Sequence, residues 1–126
     1  MILLRFFIDE RPMTWNTFYA GTHWAKRRRI SERWHTLTLG ALGDRRPRID
    51  ECYIVAVAHI RGRAHIPDAS NICIKPVEDT LVHAGILADD NPDHVKGVFL
   101  RVRTGSPRTG LEIILVEDMA DIAEIG

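Results

Sequence analysis

The chain has 126 residues, 45% of them apolar and 27% charged, the size and composition of one ordinary globular domain, which excludes collagen-like, low-complexity and wholly disordered chains. No apolar run approaches the roughly 20 residues of a membrane helix, and two cysteines, Cys52 and Cys73, are too few for a disulfide framework and fit a reduced, cytoplasmic setting. The formal net charge of zero hides a division. Residues 1–48 carry ten Lys/Arg against four Asp/Glu, and residues 49–126 carry seven against thirteen, so a basic half precedes an acidic half, as suits a protein that meets a polyanion through bound cations.

In chain order, Met1 to Ile8 reads as a strand, rich in Ile, Leu and Phe and meeting acid at Asp9 and Glu10, which is not the pattern of a signal peptide. Residues 9–23 read as a long loop with Pro12, Asn16, Gly21 and interspersed aromatics. From Trp24 to Leu42 the apolar residues Ile30, Trp34, Leu37 and Ala41 recur at helical spacing, with Lys26, Arg29 and Arg33 on a neighbouring face and Gly43 as a stop. Trp34 falls on the apolar stripe and, with Trp24, is expected to anchor the core.

Glu51 to Ile60 (ECYIVAVAHI) is a β-branched, central strand. Residues 61–68 form a loop delivering Asp68. A helix is expected from there to about Ala84, stopped by Gly85, and beginning near Ile74 or kinked at Pro76. An acid-studded loop, 86–94, precedes two strands, Val95 to Arg103 and Leu111 to Val116, expected to be antiparallel about the TGSPRTG turn, with the last eight residues peripheral. The order β, α, β, α, β, β predicts a single α+β domain in which two main helices pack on a mixed sheet.

The residues with chemistry gather in one stretch: Asp68-Ala-Ser-Asn71, then Lys75, Asp79, Gly85 and Asp89-Asp90. Lys75 and Asp79 are one helical turn apart. The acids flank the helix, so spacing alone does not make them meet. Oxygen ligands of this kind, once brought together, suit Mg²⁺ or Mn²⁺ rather than zinc. The six histidines show no zinc spacing with the cysteines. The KRRR run, Lys26, Arg27, Arg28 and Arg29, reads as a phosphate-binding stripe, while Trp15 and Tyr19 stand open between DNA contact, partner contact and simple packing.

The segment HIPDASNICIKPVEDTLVHAGILADDNPDHV resembles the core motif of the RusA-type crossover junction endodeoxyribonucleases, D-x-D-N, Lys, D-x-L, A-G and D-D. The matching positions are Asp68, Asn71, Lys75, Asp79, Leu81, Ala84, Gly85, Asp89 and Asp90. Asn16-Thr-Phe-Tyr19 and His23-Trp24 followed by a basic helix also resemble that family, so the likeness runs from Asn16 to about Val98.

The resemblance implies a RusA-like fold and a homodimer that binds four-way DNA junctions and cuts two opposing strands with Mg²⁺, Mn²⁺ being able to substitute. It implies Asp68 and Asp90 as metal-binding catalytic carboxylates, Lys75 beside the scissile phosphate, and Asp79 and Asp89 as further metal ligands or their positioners. DNA contacts would come from Lys26, Arg27, Arg28, Arg29, Arg33, Asn71 and Tyr19. Two departures stand out: Ser70 replaces the motif's second Asp, and the step from Asn71 to Lys75 is one residue longer than the motif's. A neutral hydroxyl at a metal-ligand position weakens the site, shifts the ligand to Glu78 or Asp79, or leaves a junction-binding protein that no longer cuts.

Overall fold

The computed structural model describes residues 1–19 and 23–125. Gly21, assigned above to the first loop, lies outside the described residues. The domain is α+β with a four-stranded mixed sheet. Strand β1 (Ile2–Ile8) leads through a four-residue helix, α1 (Trp15–Phe18), to the long α2 (Trp24–Leu42), followed by β2 (Cys52–Ile60), α3 (Lys75–His83), β3 (Val95–Thr104), β4 (Gly110–Val116) and the short α4 (Met119–Glu124). In space the strands run β1-β4-β2-β3.

Strand β2 is the centre, as its nearly unbroken apolar run predicts: seven of its nine residues are buried. Its neighbours differ from the expectation. Strand β3 pairs with it in parallel, and β4 pairs with it antiparallel, so β3 and β4 are opposed in direction but separated by β2. The turn residues between them therefore do not close a hairpin. They cross the end of β2, a gap of two strand spacings or about 10 Å, which a five-residue connection spans easily.

The large core lies on one sheet face. Ile54, Ala56 and Ala58 of β2 and Leu111, Ile113 and Leu115 of β4 join Trp34 and Leu42 of α2 and Val77 and Leu81 of α3 in one buried cluster. Trp24 does not anchor this core. It stands at the first position of α2 and is 61% exposed, because the apolar stripe of the helix begins six residues later, at Ile30. The start of α2 is capped by the His23 ring, which accepts from the Ala25 N–H, and its end is capped by Gly43.

On the opposite face a smaller cluster, Val55, Val57, Ile114 and Val116, is partly covered by Ile122 and Ile125. The C-terminal residues are thus not merely peripheral: α4 and the residue after it close one end of this face, held by an Asp118–Asp121 capping box.

The stretch between β2 and α3 is less helical than expected. Ala69–Asn71 makes one 3₁₀ turn, Ile72 bridges Thr14, and the helix proper begins at Lys75 with Pro76 in its first turn, where a missing N–H costs nothing. Cys73 is buried as expected, but on this extended lead rather than within the helix. Gly85 has φ +80°, the left-handed conformation that ends a helix and favours glycine. No helix among the described residues is long and apolar enough to cross a membrane.

Candidate active site

The segment carrying Asp68 is fixed by backbone bonds. The Asp68 carbonyl accepts from the Asn71 N–H at 2.9 Å, and the Cys73 N–H donates to the Met13 carbonyl at 2.8 Å. The Asp68 side chain is exposed and makes no capping bond, and Ser70 beside it is exposed too.

One helical step on, the Lys75 ammonium donates to Asp90 Oδ2 at 2.6 Å and lies 3.2 Å from Asp79 Oδ1. Asp90 reaches this position because the loop after α3 folds back along the helix. The Asp89 carboxylate supports that loop, with Oδ1 accepting from the Asp90 N–H at 2.7 Å and Oδ2 from the Asn91 amide at 3.2 Å.

The charges respond to one another. The hydrogen bond from Lys75 holds the Asp90 carboxyl below the usual aspartate range, against a smaller opposing effect of desolvation. The same bond holds Lys75 above the ordinary lysine range. Glu78, half-buried one turn from Ile74, is pushed up by burial and by the nearby negative charge of Asp90 and Asp79, with the Lys75 charge partly offsetting both.

Lys75, Asp79, Val82, His83, Asp89 and Asp90 line a surface cavity of about 270 Å³. Asp79 and His83 also line a larger one, about 470 Å³, between α2 and α3, where Glu32 and His35 face them. The structure therefore brings Lys75, Asp79, Asp89 and Asp90 together. Asp68, Ser70 and Asn71 lie outside this cavity.

Oxygen-only donors suit Mg²⁺ or Mn²⁺ by chemistry. By arrangement they do not fit as they stand: the Lys75 ammonium sits between Asp79 and Asp90, and among the described residues no three His, Cys, Asp or Glu side chains form a group that could hold a metal ion. What the cluster offers directly is an ionised carboxylate and a firmly protonated amine, the latter able to neutralise charge on a phosphate oxygen.

The basic stripe of α2 divides into paired and unpaired charges. Arg28 pairs with Glu32 at 3.1 Å, Arg33 donates from Nε to Glu10 at 2.7 Å, and Arg27 lies over the exposed Tyr19 ring at 5.4 Å, itself stacked on Trp15. Lys26 and Arg29 are exposed and have no ion-pair partner among the described residues.

One network escaped the sequence reading. His59 meets Ser106 Oγ through Nδ1 at 3.1 Å and Glu112 Oε1 through Nε2 at 3.0 Å, and Arg5 Nε donates to Glu112 Oε2 at 2.6 Å. The signal was present: His59 and Glu112 are the polar members of strands otherwise almost wholly apolar, on the alternation that faces away from α2 and α3. Compared with known proteins, the chain matches no family model, no curated protein and no solved structure.

Proposed function

We propose that this chain is a structure-selective endodeoxyribonuclease that binds four-way DNA junctions and hydrolyses phosphodiesters in opposing strands, with the RusA-like fold, homodimeric assembly, Mg²⁺ or Mn²⁺ requirement and cytoplasmic setting that the resemblance implies. The observation that carries the reading is the Lys75–Asp90 pair with Asp79 and Asp89 in one open cavity. Motif residues 15 positions apart in sequence meet there, and the pair supplies an ionised carboxylate beside a cation, which phosphodiester chemistry needs. Lys26 and Arg29 on α2, without an ion-pair partner among the described residues, supply charge for the flanking backbone. An isologous dimer would present two equivalent sites to a junction with twofold symmetry.

A synthetic four-way junction with each strand end-labelled, incubated with the purified chain and Mg²⁺ or Mn²⁺, should show paired, symmetric nicks. Asp90→Asn should abolish nicking and leave junction binding within about twofold. Absence of metal-dependent nicking on every branched DNA tried would overturn the enzyme reading.

A second reading, a junction-binding protein without catalysis, is favoured by one arrangement: Lys75 holds the place a cation would take, and the neutral Ser70 stands where the motif has an acid. Ser70→Asp separates the two. Cutting gained by an inert parent supports the binding protein, and an active parent rejects it.

A further inference from the structure

The acidic half of the chain, residues 49–126, contains seven Lys/Arg, and the fold gathers five of them at one end of the sheet. Strands β2 and β3 run in parallel and end together, with Ile60 opposite Thr104. Strand β4 starts at the same end, His59 opposite Gly110. Arg61 and Arg63 follow β2, Arg101 and Arg103 lie on the last turn of the pleat of β3, and Arg108 precedes β4. Arg101 and Arg103 stand in register with Val57 and His59, which puts them on the face opposite α2 and α3.

This end is rigid. The Gly105 N–H donates to Gly62 O and the Ser106 N–H to Ile60 O, the Arg61 N–H donates to Thr109 Oγ1 at 3.0 Å, and His59 holds Ser106 to the sheet. The Arg108 guanidinium lies over the Phe7 ring, 3.8 Å from its centroid. The carboxylates at this end are Asp9, Glu10, Asp68 and Glu112. Glu10 is taken by Arg33, and Glu112 by Arg5 and His59. Arg61, Arg63, Arg101 and Arg103 have no ion-pair partner among the described residues, and all but Arg103 are exposed. Four like charges gathered at one end of the sheet repel one another, and none of the four is offset by an ion pair among the described residues. A polyanion relieves that repulsion and gains from counter-ion release.

We infer that this arginine-lined sheet end is a second phosphate-backbone surface, on the side of the sheet away from α2, which grips a duplex arm of the nucleic acid. The inference rests on the DNA-binding reading above and adds to it a binding face that the basic helix does not provide. The loop of Arg61 and Arg63 is also the one that delivers Asp68, so a strand gripped here leads toward that aspartate.

Fluorescence anisotropy of a labelled four-way junction and a labelled linear duplex, measured over a series of KCl concentrations, tests it. Arg101→Gln with Arg103→Gln should weaken binding about tenfold at moderate salt and lower the slope of log K against log salt by about 2, since each phosphate contact contributes roughly 0.9. The double lysine variant at the same positions should keep most of the slope. Arg61→Gln with Arg63→Gln, in a loop outside the core, should act in the same direction, so a folding defect on β3 cannot hide the result. Unchanged slopes in both glutamine pairs, with binding still lost in Lys26→Gln with Arg29→Gln, would overturn this surface and leave the DNA reading standing. A wild-type chain that binds neither DNA overturns both.

Discussion

On one face of the sheet, Ile54, Ala56 and Ala58 of β2 and Leu111, Ile113 and Leu115 of β4 meet two helices with no polar side chain in their rows. On the other, Val55, Val57, Ile114 and Val116 share their rows with Arg5, His59, Arg101, Arg103 and Glu112. Val57 is as buried as the first set, at 1% exposure, yet it stands in register between Arg101 and Glu112, whose stems flank it while the Arg101 charge reaches water and the Glu112 carboxylate is held by His59 and Arg5. The two faces are equally dry at their centres by different means. A helix layer needs only apolar complementarity, whereas a face finished by long charged side chains stays open and can also meet a ligand.

The largest loss is expected on the covered face. Leu115→Ala removes a fully buried side chain and should cost about 2–5 kcal/mol, read as a lower urea midpoint at neutral pH. On the open face, Glu112→Gln should cost less, about 1–2 kcal/mol, by weakening the hydrogen bonds from His59 and Arg5. Burial pushes the Glu112 carboxyl up, but those bonds together outweigh it and hold it below the glutamate range. Because its folded value is depressed, the stabilisation is present above the unfolded value of about 4.3 and is lost as pH falls through the folded one. The Glu112→Gln penalty should therefore shrink in acid. A cost equal to that of Leu115→Ala would show that the two faces are not built differently.

The smallest effect belongs to the candidate site. Lys75→Met breaks a solvent-accessible ion pair, so the stability change should stay below about 1 kcal/mol. The carboxyl of Asp90, followed by NMR titration, should rise toward the ordinary value of about 3.9. The sign is the same as for Glu112: wild type and variant should differ most above that pH and converge below it. An Asp90 titration unchanged by Lys75→Met would remove the electrostatic pair from the site.

The strands and the two long helices were legible because their apolar periods are unambiguous: alternation or continuous burial for β1, β2 and β4, and the Ile30–Trp34–Leu37–Ala41 stripe for α2. Strand neighbours were not. Gly105, Pro107 and Gly110 mark a reversal of direction, but a reversal is compatible with any strand lying between the two arms. Trp24 was grouped with Trp34 as a core anchor, but only Trp34 falls on the stripe; Trp24 stands six residues before its first member. Of the candidate site, Lys75 with Asp79 followed from helical spacing, and the meeting with Asp90 needed the fold-back of the loop. The five arginines at the sheet end were averaged away in a half whose total is negative. Only the shared end of β2, β3 and β4 collects them.

Both thiols lie within the layer between the sheet and its helices, 1% and 2% exposed, and burial pushes each up to about 11, so neither reacts readily with an alkylating reagent while the native packing holds. Cys52 opens the central strand, and Cys73 sits between the Asp68 turn and Lys75. The chain thus carries two internal reporters, and the ratio of their labelling rates measures how often the aspartate-bearing segment lifts away from its neighbours without the sheet itself coming apart.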